Sequence, residues 1–151
     1  MNREQAWDLL TRYNHEPFHL RHGITVEHVM GWYAQQLGYG DQKEHWAIVG
    51  LLHDLDFEQW PAEHCIKCQE LMREHGVEED IIRAVVSHGW GLHVDVKPEH
   101  EMEKVLYAAD ELKPEPAGSV VLISALKPPQ LRPSSRKAAI MPRTRDFGVP
   151  N

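Results

Sequence analysis

At 151 residues the chain has the length of one domain, enough to bury roughly 68 to 70% of the surface its unfolded form exposes, so a disulfide scaffold is not required. Its 42% hydrophobic and 26% charged content, with five tryptophans to bury, argue against disorder throughout. A formal net charge of -7 argues against a general electrostatic grip on nucleic acid or on anionic lipid.

Apolar residues recur at three- and four-residue intervals almost everywhere up to residue 113, and strict alternation over a strand's length is hard to find, which predicts an all-α chain. A first helix is expected from the cap Asn2 to Tyr13, with Ala6, Leu9, Leu10 and Tyr13 on one side. Pro17 opens a longer second helix that ends near Gly38 and Gly40. Asp41 reads as the cap of a third, with Glu44 three residues on as in a capping box and the apolar run WAIVGLLH behind it. A fourth starts at Pro61, carries Ile66, Leu71 and Met72, and stops at Gly76; a fifth covers about Glu78 to His88. A sixth, from Glu99 to Leu112, turns Met102, Val105, Leu106 and Ala109 inward.

Residues 114–151 hold seven of the ten prolines, which predicts a partly irregular, Pro-rich extension around the apolar piece Val120 to Leu126 rather than a second domain. No stretch approaches the ~20 apolar residues of a membrane span, and the charged start MNREQAWDLL lacks a signal peptide's apolar core, so a cytoplasmic protein with no membrane partner is expected. Cys65 and Cys68 form a C-x-x-C within the fourth helix and are expected to be free thiols. His64 beside them suggests half a zinc site, but there is no second cysteine pair to complete it.

The chemistry centres on LLHDLDF, residues 51 to 57, where an apolar helix face ends in His53 and Asp54. Burying that ionised carboxylate costs several kcal/mol without a counter-charge, and a divalent cation supplies one. Neighbouring helical residues point about 100° apart, so both reach one ion only at the helix's end or flank, with ligands from elsewhere closing the shell. Two candidates stand far off in the chain. His22, in RHGITV, has Val26 one turn on to anchor it, and Asp110, in YAADEL, is an acid among Ala108, Ala109 and Leu112.

The ordered set His22, His53-Asp54 and Asp110 resembles the defining pattern of the HD superfamily of metal-dependent phosphohydrolases, over roughly residues 15 to 113. The resemblance implies a bundle of about six helices over residues 1–113. It implies one divalent ion (manganese, magnesium, iron, cobalt or nickel) on those four residues, and hydrolysis of a small phosphomonoester or phosphodiester, such as a nucleotide, by metal-activated water. Members with two metals use further histidines; His64 and His88 stand at matching places, for a second metal or for substrate phosphate, and His93 is a further possibility. The continuation seen after the last acid in many relatives is interrupted here by Lys113-Pro114-Glu115-Pro116, and the signature of the HD-GYP subtype is absent.

Around this set, Arg21 is a candidate for substrate phosphate, Asp56 and Glu58 for orienting the attacking water, and Trp90 for stacking on a base. Trp32, Trp46 and Trp60 are expected in the core, and His15, His19, His28, His45, His75 and His100 have no assigned chemistry. Two other functions fit the pattern: a di-iron oxygenase on the same fold, and a nucleotide-sensing module without turnover. A homo-oligomer is left open.

Overall fold

The chain is described by a computed structural model over residues 1–110; residues 111–151 lie outside the described residues, and with them the expected Pro-rich extension and the last turn of the sixth helix. Helix α1 (Arg3–Tyr13) begins as the sequence predicts. The Asn2 side chain accepts from the Gln5 amide at 2.9 Å, and the Gln5 side chain accepts from the Asn2 amide at 3.0 Å. Helix α2 (Pro17–Gln36) starts on its proline and stops just before Gly38, whose φ of +88° is the left-handed turn that glycine adopts at no cost.

Helix α3 (Lys43–Leu52) departs from the expectation at its start. The chain passes through one turn of 3-10 helix at Gly40–Gln42, so Asp41 lies inside that turn, and the cap position falls to Gln42, which makes no side-chain capping bond. Pro61–Glu63 likewise forms a separate 3-10 turn, and α4 (Lys67–Glu74) begins six residues after the proline expected to open it. Cys65 therefore lies before the helix rather than within it, with a φ of 64°. Helices α5 (Glu79–Ser87) and α6 (Glu101–Asp110) complete an all-α bundle. The described residues contain no strand, only an isolated bridge between Trp90 and Val94, and no helix long and apolar enough to cross a membrane.

The core is centred on the pairing of α2 with α3, against which α1, α5 and α6 pack. Trp46, Leu51, Leu52, Met30 and Leu106 are among its fully buried side chains, each worth roughly 1.5 to 3 kcal/mol on leaving water. Trp46 and the partly buried Trp60 meet the sequence expectation, but Trp32 does not: it is 50% exposed and lines an apolar groove of about 750 Å³ that runs between Glu27 and Ala47. A bidentate ion pair from Arg3 to the buried Glu27, at 2.6 and 2.9 Å, ties α1 to α2.

The close crossing of α2 and α3 sets His22 against His53. It is made possible by Gly50: a Cβ there would stand 2.8 Å from both the Val26 carbonyl oxygen and Met30 Cγ. Gly50→Ala should thus force the two helices apart and destabilise the fold by about 1 to 3 kcal/mol. Gly40→Ala, where a Cβ meets nothing within 4 Å, should change stability by less than ~1 kcal/mol; urea midpoints of the two variants check both.

Candidate metal centre

His53 is the C-cap of α3 and His88 the C-cap of α5, so two helices aim their C-terminal ends into one region, where the partial negative charge of their carbonyls favours a cation. Their rings meet with centroids 5.2 Å apart. His22 comes from the first turns of α2, held by Val26 in the core one turn later, and Asp110 from α6. The expected position of the His53-Asp54 pair, at a helix end, is the one the structure has.

The four residues of the sequence pattern converge. His22 Nε2 lies 3.0 Å from His53 Nε2, 3.4 Å from Asp54 Oδ2 and 3.6 Å from Asp110 Oδ1, and His53 Nε2 is 3.3 Å from each of those two oxygens. Ligands at ~2.1 Å from one ion stand roughly 3.0 to 3.4 Å from each other, depending on coordination geometry. The spacing therefore fits a single cation. The chemistry of the donors fits as well: two imidazoles and two carboxylates suit a divalent metal of borderline to hard character.

A second group lies beside the first. His64, Cys65 and His88, all buried, bring two imidazole nitrogens and a sulfur together, with His64 Nε2 3.0 Å from His88 Nε2. Asp54 belongs to both groups. Its Oδ2 faces His22 and His53, and its Oδ1 lies 3.5 Å from His64 Nε2 and 3.8 Å from His88 Nε2.

Three of the histidines have their tautomer fixed. His53 Nδ1 donates to the Gly50 carbonyl at 2.7 Å, His64 Nδ1 to Asp56 Oδ1 at 2.7 Å, and His88 Nδ1 to the Val85 carbonyl. Each neutral ring then turns an Nε2 lone pair inward, an arrangement typical of metal-ligating histidine. Lone pairs facing each other across 3.0 Å repel unless a proton or a cation lies among them.

The electrostatics agree. Burial disfavours a charge on His53, but Asp54 and Asp110 outweigh it and hold the His53 pKa well above its ordinary value. Burial works against the ionised forms of Asp54 and Asp110, yet His53 draws Asp54 well below the carboxylate range, and hydrogen bonds with His22 and His53 do the same for Asp110. His88 moves the other way, to about 4, through its burial and the nearby charge of His53. Burial and the surrounding aspartates push the thiols of Cys65 and Cys68 far up, so both free cysteines are neutral thiols in the metal-free chain.

The clusters open into a cleft of about 240 Å³. His22, Asp54, His64, His88 and Asp110 form its floor, and Phe18, Phe57, Leu92 and Tyr107 give it an apolar rim, with His19 and His93 among them. Of these the sequence pattern singles out His93, which the structure places in the cleft lining, but neither His19 nor the apolar rim residues. His19 stands three residues before His22 on α2, and that helical spacing is the signal that identifies it.

Four expected site residues are placed elsewhere. Asp56 is fully buried and committed to His64 and to the Cys68 amide, 2.8 Å away, so it holds an imidazole rather than a water in the cleft. Glu58 accepts the amides of His15 and Glu16 at 2.9 to 3.1 Å, capping the loop that leads into α2. Arg21 is exposed and outside the cleft lining, and Trp90 packs on Tyr107 under the Lys97 ammonium rather than facing the cleft.

Asp56→Ala should leave His64 free to rotate and weaken metal binding at the second cluster by about 10- to 100-fold, read by isothermal titration. At the first cluster a divalent ion would compete with the proton on His53. Because that pKa is raised, Mn²⁺ affinity should climb by up to about tenfold per pH unit upward from pH 6.5, then level off once His53 has lost its proton; a flat profile would remove His53 from the ligand set. No protein-family model, no curated protein and no solved structure matches this chain.

Proposed function

We propose that the chain is a metal-dependent phosphohydrolase built on the HD pattern, acting on a small phosphomonoester or phosphodiester such as a nucleotide. The convergence of His22, His53, Asp54 and Asp110 within ligand distance of one common centre carries the reading. A divalent ion held there would lower the pKa of water toward neutrality and offset charge developing on a phosphoryl oxygen.

The protein's own groups do the rest. In the metal-free chain Asp54 and Asp110 stay ionised under the charge of His53 and so are ready to act as ligands when an ion displaces that proton. Asp56 fixes His64 with its Nε2 toward the reacting region. Phe18, Phe57 and Tyr107 shield the floor of the cleft from bulk water and offer aromatic faces to the non-phosphate part of a substrate.

No lysine or arginine among the described residues lines the cleft, whose floor carries two aspartates and two helix C-termini. A phosphate anion entering it alone meets like charge, so substrate binding depends on the cation. A small ester fits the cleft; a long polyanion would meet a chain of net charge -7.

The second cluster favours one other reading, a di-iron oxygenase, since four histidines and a shared aspartate also suit two irons. Assays with and without oxygen separate the two. For the hydrolase, a panel of phosphomonoesters and phosphodiesters with Mn²⁺, Mg²⁺, Co²⁺ and Ni²⁺ should give turnover that chelation abolishes. Asp54→Ala and Asp110→Ala should each lower kcat by at least about 10³-fold. Activity that persists in metal-free protein or in Asp54→Ala would overturn the proposal.

A further inference from the structure

Beside the first cluster stands a side chain that the HD pattern does not include. We propose that Cys65 is a metal ligand: with His64 and His88, and with Asp54 Oδ1 shared from the first cluster, it forms a sulfur-containing site that takes a borderline-soft divalent ion such as zinc or cobalt. This site is the second cluster of the cleft assigned above to phosphate-ester hydrolysis and so rests on that reading for its role, but its own geometry supports it separately.

The distances carry it first. Cys65 Sγ lies 3.7 Å from His88 Nε2, the two imidazole nitrogens are 3.0 Å apart, and Asp54 Oδ1 is 3.5 and 3.8 Å from them. For an ion with sulfur at ~2.3 Å and nitrogen at ~2.0 to 2.1 Å in tetrahedral geometry, sulfur and nitrogen stand roughly 3.5 Å apart. The 3.7 Å to Nε2 is close to that; because Sγ also lies 4.0 Å from His88 Nδ1, the sulfur flanks the ring, and to join the ion it would turn about its Cα–Cβ bond toward Nε2.

The surroundings are shaped to hold the sulfur there. Cys65 has no exposed surface and takes a left-handed backbone, φ 64°, which is uncommon for a residue with a side chain. Gly89 makes the space: a Cβ at that position would stand 2.5 Å from the sulfur. Both imidazoles are already oriented, His64 by Asp56 and His88 by the Val85 carbonyl, and neither needs its Nε2 for another partner outside the two clusters.

Thiolate changes what the site selects. Imidazole and carboxylate alone accept manganese or magnesium, whereas a sulfur donor discriminates against them and favours zinc, cobalt or iron. On binding, the sulfur–hydrogen bond breaks as the sulfur–metal bond forms, and the proton leaves to solvent. The two clusters would then carry different metal preferences, hard at His22/His53/Asp110 and softer at His64/Cys65/His88.

Cobalt(II) added to the metal-free full-length protein tests this, because thiolate ligation gives a charge-transfer absorption in the near ultraviolet that imidazole and carboxylate do not. The wild type should take up two equivalents with that band present. Cys65→Ser, close in size and sparing the fold, should lose the band and bind one equivalent at least tenfold more weakly, while Cys68→Ser should keep both. Asp110→Asn separates the two readings: it should remove the other equivalent and leave the band. Two equivalents without a band, or a band that survives Cys65→Ser, would overturn the assignment of Cys65 even with the first site intact. A single equivalent without the band, lost in Asp110→Asn, would do the same. A band with only one equivalent, unchanged in Asp110→Asn, would instead remove the first cluster and retain this one.

Discussion

Two pairs of imidazole nitrogens face each other at 3.0 Å in an interior largely closed to water, and the rest of the site depends on how that repulsion is relieved. Three of the four rings cannot relieve it by swapping tautomers, because each Nδ1 is held by a carbonyl or carboxylate that only accepts. The second pair, His64 and His88, therefore has no donor of its own, whereas in the first pair a neutral His22 can donate from Nε2 to His53 Nε2. In the metal-free chain a proton on His53, favoured by Asp54 and Asp110, serves the first pair. The second pair has no such remedy, since burial and the charge of His53 depress the His88 pKa. One proton cannot satisfy both pairs, whereas cations lodged among the donors can.

The fold is arranged to keep these groups together against their own cost. Gly50 lets α2 approach α3 closely enough for His22 to reach His53, and Asn14 at the end of α1 donates to the Leu55 carbonyl at 2.9 Å, fixing the segment that carries Asp54 and Asp56. Asp56 anchors both His64 and the start of α4 through the Cys68 amide. A buried carboxylate with those two bonds is costly to replace, because either donor left without it would be an unpaired polar group in the interior.

Local pattern is the part of this protein that can be read from its residues in order. The Asn2 cap, the proline start of α2, the apolar run into His53-Asp54 and the isolated acid Asp110 are all legible, since each is a departure from the chemistry of its immediate neighbours. The features that escape such a reading depend on where distant segments meet. Asp56 two residues past the pair reads as a carboxylate free to orient a water, and only the return of the chain at His64 and Cys68 buries and commits it. Asp41 and Glu44 have the spacing of a capping box, but the 3-10 turn at Gly40–Gln42 moves the cap to Gln42, and Glu44 turns to the Arg3 amide at 3.4 Å instead. Trp32 has the composition of a core residue and sits on the face of α2 that no described helix covers. Cys65 is legible as half of a metal motif, but the C-x-x-C spacing points to the wrong partner: the chain turns left-handed at residue 65, and its sulfur meets His88, not Cys68's side of the helix.

Asp54 makes the two clusters a single electrostatic unit. Its oxygens face opposite groups, so charge placed on one side is felt on the other through one carboxylate. A cation at His22 and His53 would replace the His53 proton with a larger positive charge, so the repulsion that depresses the His88 pKa would grow rather than vanish. It also draws on the carboxylate that the second cluster needs. Two effects then oppose each other: a divalent charge nearby disfavours another cation, while the shared carboxylate is better oriented once one of its oxygens is held. For an anionic substrate the outcome has one sign. Helix C-termini and two aspartates make the empty floor repel phosphate, and each cation added turns that field toward attraction. The groups that make this cleft hostile to an anion are the same ones that could hold ions able to reverse it, so under the proposed hydrolase reading substrate binding and metal occupancy would be linked by charge before any bond is broken.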